Sequence, residues 1–294
     1  ENFLFREAWR YRNWVIDAIN ADVPYDRFLR EQIAGDLLPY ESTEQRDRQR
    51  IAAGFLVIGP KVLLGNKAAN QRMEVADEQI DTIGRAILAQ TLGCARCHDH
   101  KFDPIPTADY YALAGIFTST QVMERRFMFN QQRVMEQLIG IGPDGEDTDK
   151  KRIERAKSAL AMIKQGDEQA LAQLREQAAE VVAESAADAE QPTEQRLEAQ
   201  QALIAELDAK IGKAPDIPPR AMVPTDVNEP SDEHIRLSGE FDSLGDLVPR
   251  GFLQVVCTNA VPEIPDGQSG RLELARWLTD VENGAGRLSA RVLA

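Results

Sequence analysis

Apolar positions over residues 1–140 recur at spacings of three to five, as in helices that bury one face. Trp9, Trp14, Ile16, Ile19, Phe28 and Ile33 follow this rhythm across two short amphipathic segments. Asp22-Val23-Pro24-Tyr25-Asp26 divides them, with Pro24 suited to a helix start, and Gly35 and Pro39 end the second. Residues 44–58 read as a third helix running into Gly59-Pro60. A more regular stripe, Met73, Ala76, Ile80, Ile83 and Ile87, predicts a helix that ends at Gly93, directly before Cys94. Asp103-Pro104-Ile105-Pro106 then forces extended backbone, and Tyr110 to Phe117 reads as one more helix.

The pattern changes at about Asp147. Up to Lys213 the chain is rich in Ala, Glu, Gln, Lys and Leu, with a heptad rhythm through Ile153, Ala156, Leu160 and Ile163. The rhythm returns at Leu197, Ile204, Leu207 and Ile211, after Pro192. This predicts an antiparallel coiled-coil hairpin, either a docking arm or a spacer. Beyond Pro215, short β-like runs (His234 to Leu237, Phe252 to Cys257) alternate with Pro and Gly, and Gly270 to Leu278 begins another amphipathic helix. The expected fold class is mainly α. A helical domain over 1–140 is followed by the inserted hairpin at 147–213, then by a small β-containing segment over 217–294 that opens a truncated downstream domain. The chain therefore reads as an internal portion of a longer protein, with any export signal upstream.

Charge narrows the function classes. The 294 residues are 28% charged, with 48 acidic against 34 basic side chains and a net charge of −14. That sign opposes non-specific binding to nucleic acid. No stretch approaches the roughly 20 apolar residues of a membrane span. Three cysteines are too few, and odd in number, for a disulfide scaffold.

Two of them stand in Cys94-Ala95-Arg96-Cys97-His98. This C-x-x-C-H spacing lets one turn of backbone present two thiols to the vinyl groups of one haem, with the adjacent His as axial ligand to the iron. Three rival readings stay open. A redox dithiol is one, although no βαβ pattern surrounds the pair. Zinc is another, held by Cys94, Cys97 and either His98 or His100, with Cys257 or His234 as fourth ligand in a zinc-stabilised structural module. The last is a buried reduced pair beside a hydrogen-bonded His.

Longer motifs extend the haem reading. The run Thr91-Leu92-Gly93-Cys94-Ala95-Arg96-Cys97-His98-Asp99-His100-Lys101-Phe102-Asp103-Pro104-Ile105, followed by Tyr110-Tyr111, resembles the planctomycete cytochrome-c-linked exported proteins, a family of largely unknown function. Trp9 to Ala18, Pro24 to Phe28 and Gln32 to Leu38 are similar to the same family's upstream signature. Val248 to Leu253 and Ser269 to Leu278 resemble the start of its paired downstream domain. The chain departs from the family at Glu282 to Ser289, where relatives have a shorter turn. The resemblance implies one covalent haem c and export to the periplasm or cell envelope.

The opposite axial position decides between carrier and catalyst. Met123 or Met128 is the expected distal ligand, with Met73 and His234 behind them; His100 is too close to His98 to cross the haem plane. Asp99 and Asp103 flank His100, so Asp99 and His100 are the candidate proton-handling pair if the iron is catalytic. Expected partners are a redox protein or domain, with possible docking through the hairpin. The expected function is electron transfer through haem. The alternative is a haem enzyme whose open face oxidises a small molecule or carbohydrate.

Overall fold

The computed structural model describes residues 5, 7–60, 68–123, 128–129, 132–133, 137–143, 145, 219–257 and 262–293. The chain divides into two compact units, Glu1–Pro143 with Arg220–Ala294, and Asp144–Pro219. The predicted hairpin at 147–213 lies outside the described residues, as do most of the first six positions. The first unit is mainly helical, with a few two-stranded antiparallel sheets.

Helix α1 (Ala8–Asn20) buries only Trp14 and Ala18 fully, one turn apart. Together with Tyr11 and Phe28 they form a small cluster on Ala52. Ile16 and Ile19 were expected on the apolar stripe, but the structure leaves both about half exposed or more, along with Trp9. A helix at the edge of a unit needs only a narrow stripe, and i, i+4 spacing from Trp14 to Ala18 supplies it. Pro24 precedes α2 (Tyr25–Ala34), as predicted; it has no N–H to leave unpaired, and its carbonyl accepts the Phe28 N–H. Ser42 caps α3 (Thr43–Ala52): its hydroxyl accepts the Gln45 N–H, and the Gln45 side chain accepts the Glu41 N–H in return.

In α4 (Ala68–Ile83) the predicted stripe is buried at Met73, Ala76, Ile80 and Ile83, and Ile87 continues it. The helix widens into a single π turn at Gly84–Leu88 and ends at Ala89, which has left-handed backbone (φ 52°). It thus stops before the predicted Gly93. Helix α5 (Thr107–Thr118) is buried along every residue from Asp109 to Phe117 and forms the centre of the unit, packed on α4.

Short ladders join the segments on either side of the insertion. Strand β1 (Thr120–Gln121) pairs with β6 (Thr225–Asp226), and β4 (Leu138–Gly140) with β5 (Arg220–Met222). Strands β2 (Met128–Phe129) and β3 (Gln132–Arg133) pair with each other, as do β7 (Glu233–Arg236) and β8 (Leu244–Val248) across α5. The predicted strand at Phe252 to Cys257 is absent; only a 3₁₀ turn, Gln254–Val256, forms there. Its backbone bonds to α5 instead, Gly251 N–H to the Ala112 carbonyl and Gln254 N–H to the Asp109 carboxylate. Helices α6 (Arg271–Thr279) and α7 (Gly286–Leu293) close the fold, α6 lying along α2.

One buried cation ties these segments together. Arg271 is fully buried; it bonds both oxygens of Asp36 at 2.7 and 2.8 Å and Asp226 at 2.8 Å. Burial opposes its charge, and the two carboxylates more than offset it, holding the guanidinium pKa above its ordinary value.

Candidate functional site

The Cys94–His98 segment sits on a short 3₁₀ helix, Leu92–Arg96, whose anchors are the buried Leu92 and Ala95. Apolar residues at i and i+3 of a 3₁₀ turn point the same way, and the cysteines point elsewhere. Cys94, Cys97 and His98 are all exposed, and both thiols are free.

Arg96, the least conspicuous residue of the motif, holds it in place. Its guanidinium pairs with Glu74 at 2.7 Å and Asp77 at 3.1 Å, both on α4, and lies 5.5 Å from the Phe241 ring centroid. Burial works against the Arg96 charge, but the two carboxylates outweigh it and raise its pKa. Asp77 also accepts the Tyr110 hydroxyl, whose pKa is pushed well up by burial first and by that carboxylate second. The Tyr111 hydroxyl donates to the Arg96 carbonyl at 3.0 Å and lies 3.4 Å from the Arg236 carbonyl on β7. The β7–β8 hairpin is thereby held against the motif. At Gly239 the backbone takes φ +78°, and a Cβ there would fall 2.6 Å from the Cys97 sulfur. Any other residue here would carry a strained backbone and would have to push the Cys97 thiol aside.

The histidines differ in what their rings do. His98 Nδ1 lies 2.8 Å from the Asp99 carbonyl. A carbonyl only accepts, so Nδ1 carries the proton and Nε2 keeps its lone pair. His100 is arranged the other way. Its Nδ1 accepts the Asp103 N–H at 2.9 Å and the Phe102 N–H at 3.3 Å, so Nε2 carries the proton and donates to Thr91 Oγ1 at 3.1 Å. Both His100 nitrogens are thus used in stapling the loop. Asp103 stands 3.2 Å from His100 Nδ1, whereas Asp99 turns away and accepts the Thr107 N–H at the start of α5.

The remaining candidates lie apart from one another. His234 Nδ1 donates to the Gly245 carbonyl across the hairpin. Cys257 bonds the Leu253 carbonyl, and burial pushes its thiol pKa up. Met73 is buried in the core, Met123 is partly buried against it, and Met128 pairs with Arg133 in β2–β3. Among the described residues, no three His, Cys, Asp or Glu side chains converge to hold a metal ion, so the zinc set of Cys94, Cys97, His98 or His100, and Cys257 or His234 is not assembled. No helix among them is long and apolar enough to cross a membrane. Sequence reasoning did not single out Glu74, Asp77 or Gly239. The glycine alone carried a local signal, following a β-like run.

No curated protein and no solved structure matches the chain. Residues 1–122, which include the whole Cys94–His98 segment, match the family described as PSCyt2, a protein of unknown function (DUF1549).

Proposed function

We propose that Cys94 and Cys97 hold one covalent haem, with His98 as axial ligand, and that the protein transfers electrons in an exported redox system. The donor chemistry fits the group. Two free thiols reach solvent from one turn, and the imidazole that follows keeps its Nε2 lone pair because its Nδ1–H donates to the Asp99 carbonyl. That last arrangement is the observation that carries the reading. It is the tautomer an Nε2 ligand needs, and it is set by the backbone before any iron arrives.

Haem supplies a one-electron couple whose potential depends on axial ligation and burial. The chain's own residues hold the attachment turn rigid. Arg96 fixes it to α4, Tyr111 fixes it to β7, and His100 staples the loop that follows. A fixed turn keeps the thiols at one spacing and the imidazole in one orientation, which limits reorganisation when charge changes.

A second reading is a haem enzyme with an open axial position, oxidising a small molecule or carbohydrate. It is favoured by the engagement of both His100 nitrogens within the loop, which removes one nearby distal ligand. Against a proton-handling Asp99–His100 pair, Asp99 is spent on Thr107.

The test is a visible spectrum of protein co-expressed with c-type maturation machinery and exported. A Soret band that survives acid–acetone extraction and is lost in Cys94→Ala/Cys97→Ala is the expected result. A low-spin reduced spectrum then supports the carrier and a high-spin one the enzyme. A colourless product from competent cells overturns both.

A further inference from the structure

Two apolar side chains beside the Cys94–His98 turn stand in solvent. Phe102 is 82% exposed, more than any other large apolar side chain among the described residues, and Leu237 is about half exposed. A lone exposed apolar residue is common; these two differ in how firmly the chain holds them. The Phe102 N–H donates to His100 Nδ1 at 3.3 Å. The same imidazole accepts the Asp103 N–H at 2.9 Å and donates to Thr91. The backbone is thus pinned beneath a phenyl ring that stands in water, with the Lys101 ammonium 5.1 Å from its centroid.

Leu237 is held as closely. It follows β7, where its N–H donates to the Ser243 carbonyl at 2.9 Å and its carbonyl accepts the Glu240 N–H at 3.1 Å. A Cβ at Gly245 would lie 3.1 Å from Leu237 Cδ2 and 3.5 Å from Ile235 Cβ, so Leu237 shares the side of the hairpin on which Ile235 packs against the core. Both neighbouring stretches meet the attachment turn. The Arg236 carbonyl shares the Tyr111 hydroxyl with the Arg96 carbonyl, and Gly239 meets the Cys97 sulfur. Leu244 and Leu247 are also exposed, but they pair in register with Arg236 and His234, which alternate with Ile235 and so occupy the other side.

The tether decides what covers Phe102 and Leu237. A porphyrin bonded through both sulfurs stays beside them at an effective concentration that no diffusing partner matches. Its macrocycle is flat and apolar, and it is relieved of water by the side chains that such a surface favours. Neither residue offers an atom to a metal ion. An anionic membrane is opposed by Asp99, Glu240 and Asp242, exposed on the same two loops and outnumbering Lys101.

We infer that Phe102 and Leu237 pack against the macrocycle of the haem proposed at Cys94 and Cys97 and shield it from water. The inference rests on that reading of the site. The test uses protein co-expressed with c-type maturation machinery, exported, and labelled at leucine methyl groups and phenylalanine rings. Its NMR spectrum is recorded in the reduced state, with carbon monoxide added where the iron is high-spin, and Leu237→Ala and Phe102→Ala assign the two residues. Both are expected to shift under the porphyrin ring current, relative to the haem-free Cys94→Ala/Cys97→Ala protein. Leu237→Ser and Phe102→Ser, at exposed positions, should leave the melting temperature of the haem-free protein unchanged. Each should lower the midpoint potential of the loaded protein, because water reaching the haem favours its more charged ferric form. Covalent haem with either residue unshifted, or a potential indifferent to both substitutions, overturns this inference and leaves the haem in place. A colourless product from competent cells instead removes the haem reading, and this inference with it.

Discussion

Replacing Arg271 with methionine tests whether a single buried cation holds the two ends of the first unit together. The guanidinium is wholly buried and bridges Asp36, just after α2, to Asp226 in β6, with N–O distances of 2.7–3.2 Å. It also lies 3.4 Å from the Ile33 carbonyl. Methionine preserves most of the side-chain length and apolar packing but leaves two carboxylates without their counter-charge. Removing one partner of a buried ion pair costs about 3–5 kcal/mol. That is a large share of the 5–15 kcal/mol by which domains are ordinarily stable. With a urea m-value of about 2 kcal/mol/M, the midpoint should fall by roughly 1.5–2.5 M. Trp277 reports the transition well, since it is buried on the same helix and stacked on Phe252 at 5.4 Å. Adding Asp36→Asn and Asp226→Asn to the methionine variant should recover part of the loss, because the stranded charges are then gone. A loss under about 1 kcal/mol, or no recovery in the triple variant, would refute the reasoning.

Three further outcomes are expected. Cys94→Ala/Cys97→Ala should change the stability of the haem-free protein by less than about 0.5 kcal/mol, since both thiols are exposed; a larger shift in the urea midpoint would mean they support the fold. Gly239→Ala should cost roughly 1–3 kcal/mol through its left-handed backbone and the clash with Cys97, and Cys97→Ala should restore only the steric part. Asp109 is fully buried on α5, and burial raises its pKa above the usual aspartate range, more than the Gln254 N–H lowers it. A carboxyl raised in the folded state stabilises most below its unfolded pKa and loses that contribution as pH rises through the folded value. Melting curves of Asp109→Asn against the parent should therefore converge differently with pH, the parent gaining relative to the variant on acidification; parallel curves would count against it.

What was readable in the chain divides along physical lines. The α4 stripe was legible because each of its residues meets a core along one helix face, a local periodic demand that leaves a periodic trace. On α1 the same rhythm misled, because Ile16 and Ile19 are apolar yet face solvent, and apolar residues on a surface are common. The C-x-x-C-H motif was legible as spacing, but its support was not. Glu74 and Asp77 look like ordinary solvated carboxylates on an amphipathic helix until Arg96 is folded against them. Asp36, Asp226 and Arg271 stand far apart in sequence, and each reads as a surface charge. Their pairing exists only in the tertiary structure, where burial turns three isolated charges into one network.

The loop after the motif shows where local chemistry ends and function begins. His98 and His100 are two residues apart, and nothing in their composition distinguishes them. The chain does so by backbone geometry: the Asp99 carbonyl faces one ring, and the Phe102 and Asp103 N–H groups face the other. A carbonyl fixes a proton on the nitrogen it meets, and an N–H removes one, so the neighbouring rings adopt opposite tautomers. His98 is left with an outward Nε2 lone pair, while the His100 Nε2 proton is held by Thr91. The Asp103-Pro104-Ile105-Pro106 turn is what brings those N–H groups back onto His100, with the His100 N–H on the Ile105 carbonyl at 2.9 Å closing the loop. The two prolines therefore act on the proposed ligand at a distance: by holding His100 in the staple, they leave His98 as the histidine of this loop whose Nε2 lone pair is open to a ligand role.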